Sequence, residues 1–146
     1  PKTLANGDRI ITSEQFNKDI DKEFSEALLI RTLPNNMDKC EKNYSNTNPP
    51  YLDLSLINVV NHLNVKHLLL DLPSVDREED KGELAFHHAF WDVPNNPNLE
   101  RTITELIFVD TKITDGKYLL EMQMAPFEND ASPSRPVLYK IDFLKD

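Results

Sequence analysis

The run HLLLDL over residues 67–72 limits what this chain can fold into more than any other stretch. Its apolar character is nearly unbroken, so as a strand it needs cover on both faces, and such strands belong to layered α/β structures. The residues before it supply a cover. Leu56, Val59, Val60 and Leu63 fall on one stripe of a helix over residues 54–63, and a three-residue link joins that helix to the strand. A second compact apolar strand is expected over residues 27–31, and helix, short link and buried strand together predict a layered α/β fold. Upstream, residues 8–11 read as a short strand. Thr12 with Gln15 has the spacing of a capping box, which opens a helix to about residue 23 with Phe16 and Ile20 on its buried side.

With 3 glycines and 10 prolines, turns are set mainly by Pro and Asn. Residues 33–50 form a long polar loop, a length that is usually functional or mobile. An acidic loop over residues 74–82 leads into a short helix over 83–91, followed by the connector DVPNNPN at 92–98. Strands over 102–109 and 117–124, with Asp115 and Gly116 ending the turn between them, are expected to pair as a hairpin. A Pro-rich loop over 125–136 precedes a last strand over 137–142. The expectation is one domain in 146 residues, with about six strands and three helices.

A formal charge of −9 repels phosphate backbones and anionic membrane surfaces, which argues against nucleic-acid and membrane partners. No apolar run approaches the roughly 18 residues of a membrane span, and no basic-then-apolar leader is present. The single cysteine, Cys40, has no internal partner, so a reduced, cytoplasmic setting is expected. Because the chain begins at Pro1 without methionine, a further upstream segment is expected.

Four clusters carry candidate chemistry. In ELAFHHAFW (residues 83–91), His87 shares a helical face with Glu83 and Trp91, while His88 is turned about 100° away. One could be a metal ligand and the other a proton carrier or orienter. From spacing alone, two half-exposed histidines on a surface helix are the plainer reading. In TITELIFV (residues 102–109), strand alternation sets Glu105 beside Ile103 and Ile107. A carboxylate there needs a partner, a proton or a metal; a core ion pair or an outward-facing edge residue fits equally. Asp71 and Ser74 follow the buried strand, where α/β sheets gather ligands, and an ordinary turn fits as well. Arg135 sits between prolines in SPSRP and suits either a substrate anion or one of the chain's surplus acids.

Read together and in order, these clusters resemble the second part of the cyclase family of metal-dependent hydrolases, which includes kynurenine formamidase. The resemblance runs from about residue 27 to 141 through ALLIRT, HLLLDLPSVD, LAFHHAFW, TITELIFV and the late APF and SPSRPVLYKI segments. It implies a swivelling β/β/α fold, incomplete at its N-terminus, and hydrolysis of small or cyclic amides with zinc or manganese. It also implies that His87 and Glu105 are metal ligands, that His88 carries a proton, and that Asp71, Ser74 and Arg135 line the substrate pocket. Two departures stand out. The interval from histidine to glutamate is lengthened by DVPNNPN, and the family's main metal motif, HxGTHxDxPxH, occurs nowhere in the 146 residues.

A catalytic zinc takes three protein ligands and keeps a fourth position open, so His87 and Glu105 alone are one short. The expectation is therefore an amide hydrolase that needs an N-terminal segment, with weak metal binding and no turnover by this chain alone. The alternative is a catalytically silent relative serving as a ligand-binding or assembly module. A homo-oligomer, or association with the missing segment, is expected from the sheet edges that would be left open.

Overall fold

The computed structural model describes residues 1–16, 20–126 and 128–142. In chain order the strands are β1 (Lys2–Thr3), β2 (Arg9–Ile11), β3 (Ala27–Ile30), β4 (Tyr51–Leu52), β5 (His67–Leu70), β6 (Thr102–Thr104), β7 (Tyr118–Met124) and β8 (Ser134–Lys140). Helix α1 (Ser55–His62) lies between β4 and β5, and α2 (Ala85–Trp91) between β5 and β6. This is a mixed α/β arrangement of small open sheets. Where one domain is expected, the chain divides into two compact units, Pro1–Thr111 and Lys112–Asp146.

In the first unit, β3, β5 and β6 form an all-parallel sheet in the order β3-β5-β6. The HLLLDL run takes the middle place, and Leu68, Leu69 and Leu70 are fully buried. Parallel neighbours need crossovers, and the two helices lie within them. α1 turns Leu56 and Val60 inward, while α2 buries Phe86 and Phe90, one turn apart on the same face. These side chains join Leu28, Ile30, Leu68 and Leu70 in one core, each large apolar group contributing about 1.5–3 kcal/mol on burial. A second sheet, β1-β2-β4, pairs β1 antiparallel and β4 parallel to β2.

Local chemistry sets the helix ends. Asp53 Oδ1 accepts the Ser55 amide at 2.9 Å at the start of α1. At its end Asn64 adopts φ 56°, and the Val65 amide reaches back to the Val60 carbonyl at 2.9 Å, closing a Schellman turn.

Three expected elements differ. The helix over 12–23 is replaced, among its described residues, by separate 3-10 turns at Ser13–Gln15 and Lys22–Phe24. Gln15 Oε1 does accept the Thr12 amide at 2.8 Å, but the turn ends at Phe16, whose backbone is extended (φ −89°, ψ 138°). Residues 17–19 of that expected helix lie outside the described residues. Phe16 and Ile20 nevertheless pack on the core.

The hairpin between 102–109 and 117–124 does not form either. β6 pairs parallel with β5, and β7 pairs antiparallel with β8. The chain leaves regular strand geometry at Leu106, whose φ is 56°, although its amide still reaches the Leu72 carbonyl at 2.9 Å. Finally, β8 starts at Ser134, so Arg135 belongs to a strand and not to a Pro-rich loop. Among the described residues no helix is long and apolar enough to cross a membrane.

Candidate functional site

The candidate site gathers at the carboxyl ends of the parallel strands, where loops rather than ladder bonds decide what the chain presents. Two segments meet there: residues 71–76 running on from β5, and Glu105 immediately after β6. The N-terminal end of α2 is brought against them by Asp76. Its Oδ1 accepts the Phe86 amide at 2.6 Å and its Oδ2 accepts the His87 amide at 3.2 Å, so it caps the helix from ten residues upstream.

The same carboxylate orients a side chain. His87 Nδ1 lies 2.7 Å from Asp76 Oδ2, and an ionised carboxylate only accepts, so Nδ1 carries the proton. The other ring nitrogen, Nε2, lies 3.7 Å from Glu105 Oε1, and in the neutral ring it presents its lone pair there. Trp91, one helical turn on, tilts against the imidazole with ring centroids 5.1 Å apart and is itself fixed by an Nε1–H bond to the Arg101 carbonyl at 3.1 Å. Glu105 is held from the loop side, where Oε1 accepts the Val75 amide at 3.0 Å and the Ser74 hydroxyl also bonds the carboxylate. Ser74 Oγ in turn accepts the Asp76 amide at 3.1 Å. The side chains of Asp76, His87 and Glu105 are 7%, 16% and 29% exposed, a gradient from the helix cap outward.

Electrostatics differ sharply along this line. Burial pushes the Asp76 carboxyl up, but the His87 ring and the two helix amides outweigh it and hold it below the ordinary carboxylate range. Glu105 goes the other way: burial, reinforced by the negative Asp76, raises it in spite of the Val75 amide, His87 and Ser74. Two carboxyls in one cluster are therefore shifted in opposite directions.

Of the six candidates named from sequence, the structure brings together His87, Glu105 and Ser74. Asp71 lies apart. Its side chain is fully buried, accepting Lys39 Nζ at 2.6 Å, the Thr32 amide at 2.9 Å and the Thr32 hydroxyl at 2.9 Å. This network pins the 33–50 loop to the ends of β3 and β5. His88 is exposed on the flank of α2, and Arg135 is exposed on β8 in the second unit, opposite Gln123. Sequence reading missed Asp76 as the partner of His87, and Lys39 as the partner of Asp71.

Two ligands bound tetrahedrally at zinc–nitrogen and zinc–oxygen distances would sit about 3.3 Å apart, so 3.7 Å between His87 Nε2 and Glu105 Oε1 fits a shared cation with little movement. Asp76 orients the imidazole through Nδ1, as a carboxylate would behind a ligating histidine. Among the described residues no group of three or more His, Cys, Asp or Glu side chains is arranged to hold a metal ion. An open cleft of about 420 Å³ borders Asp76, Phe86, Tyr51 and Arg77, and neither His87 nor Glu105 lines it. A scan against protein-family models and a search of the curated proteins found no match for this chain.

Proposed function

We propose that this chain carries part of the metal centre of a cyclase-type hydrolase acting on small or cyclic amides, similar to kynurenine formamidase. In this reading His87 Nε2 and Glu105 are two donors to zinc or manganese, and the remaining donors come from outside the described residues. The observation that supports it is the orientation of one ring: Asp76 holds Nδ1 at 2.7 Å while Nε2 points to a carboxylate oxygen 3.7 Å away. When bound, such a cation supplies Lewis-acid polarisation of a carbonyl and makes water more acidic. The chain's own residues do the rest. Asp76 selects the tautomer and fixes the plane of His87, Trp91 limits its rotation, and the Val75 amide with Ser74 aims Glu105. The orienting role thus goes to Asp76, leaving proton exchange with solvent to the exposed His88. The swivelling β/β/α cyclase fold is part of this same proposal.

A second reading, a catalytically silent assembly or binding module, has an observation of its own. His87 and Glu105 are already within ion-pair distance, so the cluster can satisfy itself without a cation. Zinc titration by calorimetry separates the two. The hydrolase reading predicts weak, proton-releasing binding that disappears in both His87→Ala and Glu105→Gln chains. Binding that survives both substitutions, or none in the parent chain, would leave the silent module as the better account. Turnover of an aryl formamide by this chain alone would contradict the need for further donors.

A further inference from the structure

The ribbon of β7 and β8 has two outer edges, and they are not alike. Ala125 donates its amide to the Pro133 carbonyl at 3.2 Å, which makes residues 125 and 133 a hydrogen-bonded pair. In an antiparallel ladder such pairs alternate with pairs whose amides and carbonyls point outward. Counting along the register, Gln123 with Arg135, Glu121 with Val137 and Leu119 with Tyr139 are the inward, bonded pairs. Tyr118, Leu120, Met122 and Met124 therefore turn their main-chain groups away from β8, and Ser134, Pro136, Leu138 and Lys140 turn theirs away from β7.

On β8 that outward row contains Pro136, which has no amide to give, and it ends in Lys140. These are two of the devices by which natural edges resist pairing. On β7 the outward row has no proline, glycine or charge. Among the described residues it makes no main-chain hydrogen bond beyond the ribbon.

We propose that the outer edge of β7 pairs antiparallel with β7 of a second copy of this chain. An open edge recognises an extended strand by its main-chain groups, and three features favour a second copy as the source. The product, ordered β8-β7-β7-β8, is a four-stranded sheet that uses up both open edges and ends in a Pro136 edge on each side, whereas a lone two-stranded ribbon is marginal in water. In the two-fold register centred on Met122, Leu120 meets Met124 of the second copy, extending the apolar face that Leu120 and Met122 share with Leu138 and Pro136. That register also sets Glu121 opposite Gln123 of the second copy, an amide that already donates to Glu121 within its own strand. The register centred on Glu121 would instead oppose two carboxylates. The charge of −9 on each copy works against association, so the pairing strengthens with salt.

Sedimentation equilibrium of the full chain across the micromolar range tests this. The expected result is a reversible dimer, tighter at higher ionic strength. Met122→Pro removes an outward amide without costing a bond between β7 and β8, and is expected to give the mass of one chain with an unchanged far-UV spectrum. Leu138→Pro, on the already blocked edge, is expected to leave the dimer intact. Should Met122→Pro fail to fold, Gln123→Glu decides, since it opposes like charges and is expected to weaken association about tenfold at low salt. A wild-type mass of one chain throughout overturns the proposal. So does a folded Met122→Pro chain that still dimerises, or a Gln123→Glu chain that associates as the wild type does.

Discussion

At Glu105 two demands oppose each other in the proposed reading: burial favours the neutral acid, while ligation of a metal would need the carboxylate. Its raised pKa has a definite sign for stability. An acid whose folded pKa lies above its unfolded value helps folding while protonated, and that contribution fades as pH rises through the folded pKa. Glu105→Gln keeps an acceptor for the Val75 amide and removes the ionisation penalty. It should therefore unfold at the same or a higher urea concentration than the parent at pH 8, the difference shrinking toward pH 5. A loss of stability at pH 8 would show that the ionised His87–Glu105 pair is a net stabiliser. Lys39 has the opposite character. Its side chain is 13% exposed and its ammonium answers a fully buried carboxylate at 2.6 Å, so Lys39→Met removes the counter-charge of Asp71 and should cost about 3–5 kcal/mol in urea unfolding.

Helix α2 is seven residues long, too short to stand on intrinsic propensity, and its geometry depends on what holds its first turn. Asp76 accepts two amides there, so Asp76→Asn should cost about 1–3 kcal/mol, and it should weaken any zinc binding about 10–100-fold by releasing the ring of His87. Paired urea and calorimetric titrations check both effects. What could be read from sequence divides along physical lines. β5 and α1 were legible because burial on both faces, or on one stripe, writes itself into residue order. The turn at Leu106 was not, since leucine has no preference for positive φ and tertiary contacts impose it. Strand pairing was misread for a related reason: alternation marks a strand but does not choose its neighbour, so β6 and β7 looked like a hairpin while each had a better partner elsewhere. Within the site, the meeting of His87 and Glu105 was implied by the resemblance to the cyclase family, while the spacing of each residue alone fitted a plainer reading equally or better. The pairing of Lys39 with Asp71, 32 residues apart, is visible only once the 33–50 loop is folded back onto the sheet.

In the first unit, the carboxylates that close the fold are also the ones acid attacks. Asp8 ties three segments together, accepting from Asn6, Asn48, Tyr51 and Arg77, and its pKa is lowered to about 2, chiefly by Asn48 and Arg77. A depressed folded pKa gives stability that is complete above the unfolded value of 3.8 and is lost as pH falls toward about 2, and Asp76 acts in the same direction. Acid unfolding followed by far-UV dichroism should therefore fall mainly below pH 4. An Asp8→Asn chain should begin less stable at pH 7 and lose less on acidification; parallel curves for the two would remove Asp8 from the account. The central claim concerns one imidazole, and nitrogen-detected NMR of histidine-labelled protein at pH 8 addresses it directly. The account predicts that the neutral ring of His87 carries its proton on Nδ1 and that added zinc moves the Nε2 resonance. A proton found on Nε2, or an Nε2 signal indifferent to zinc, would contradict it.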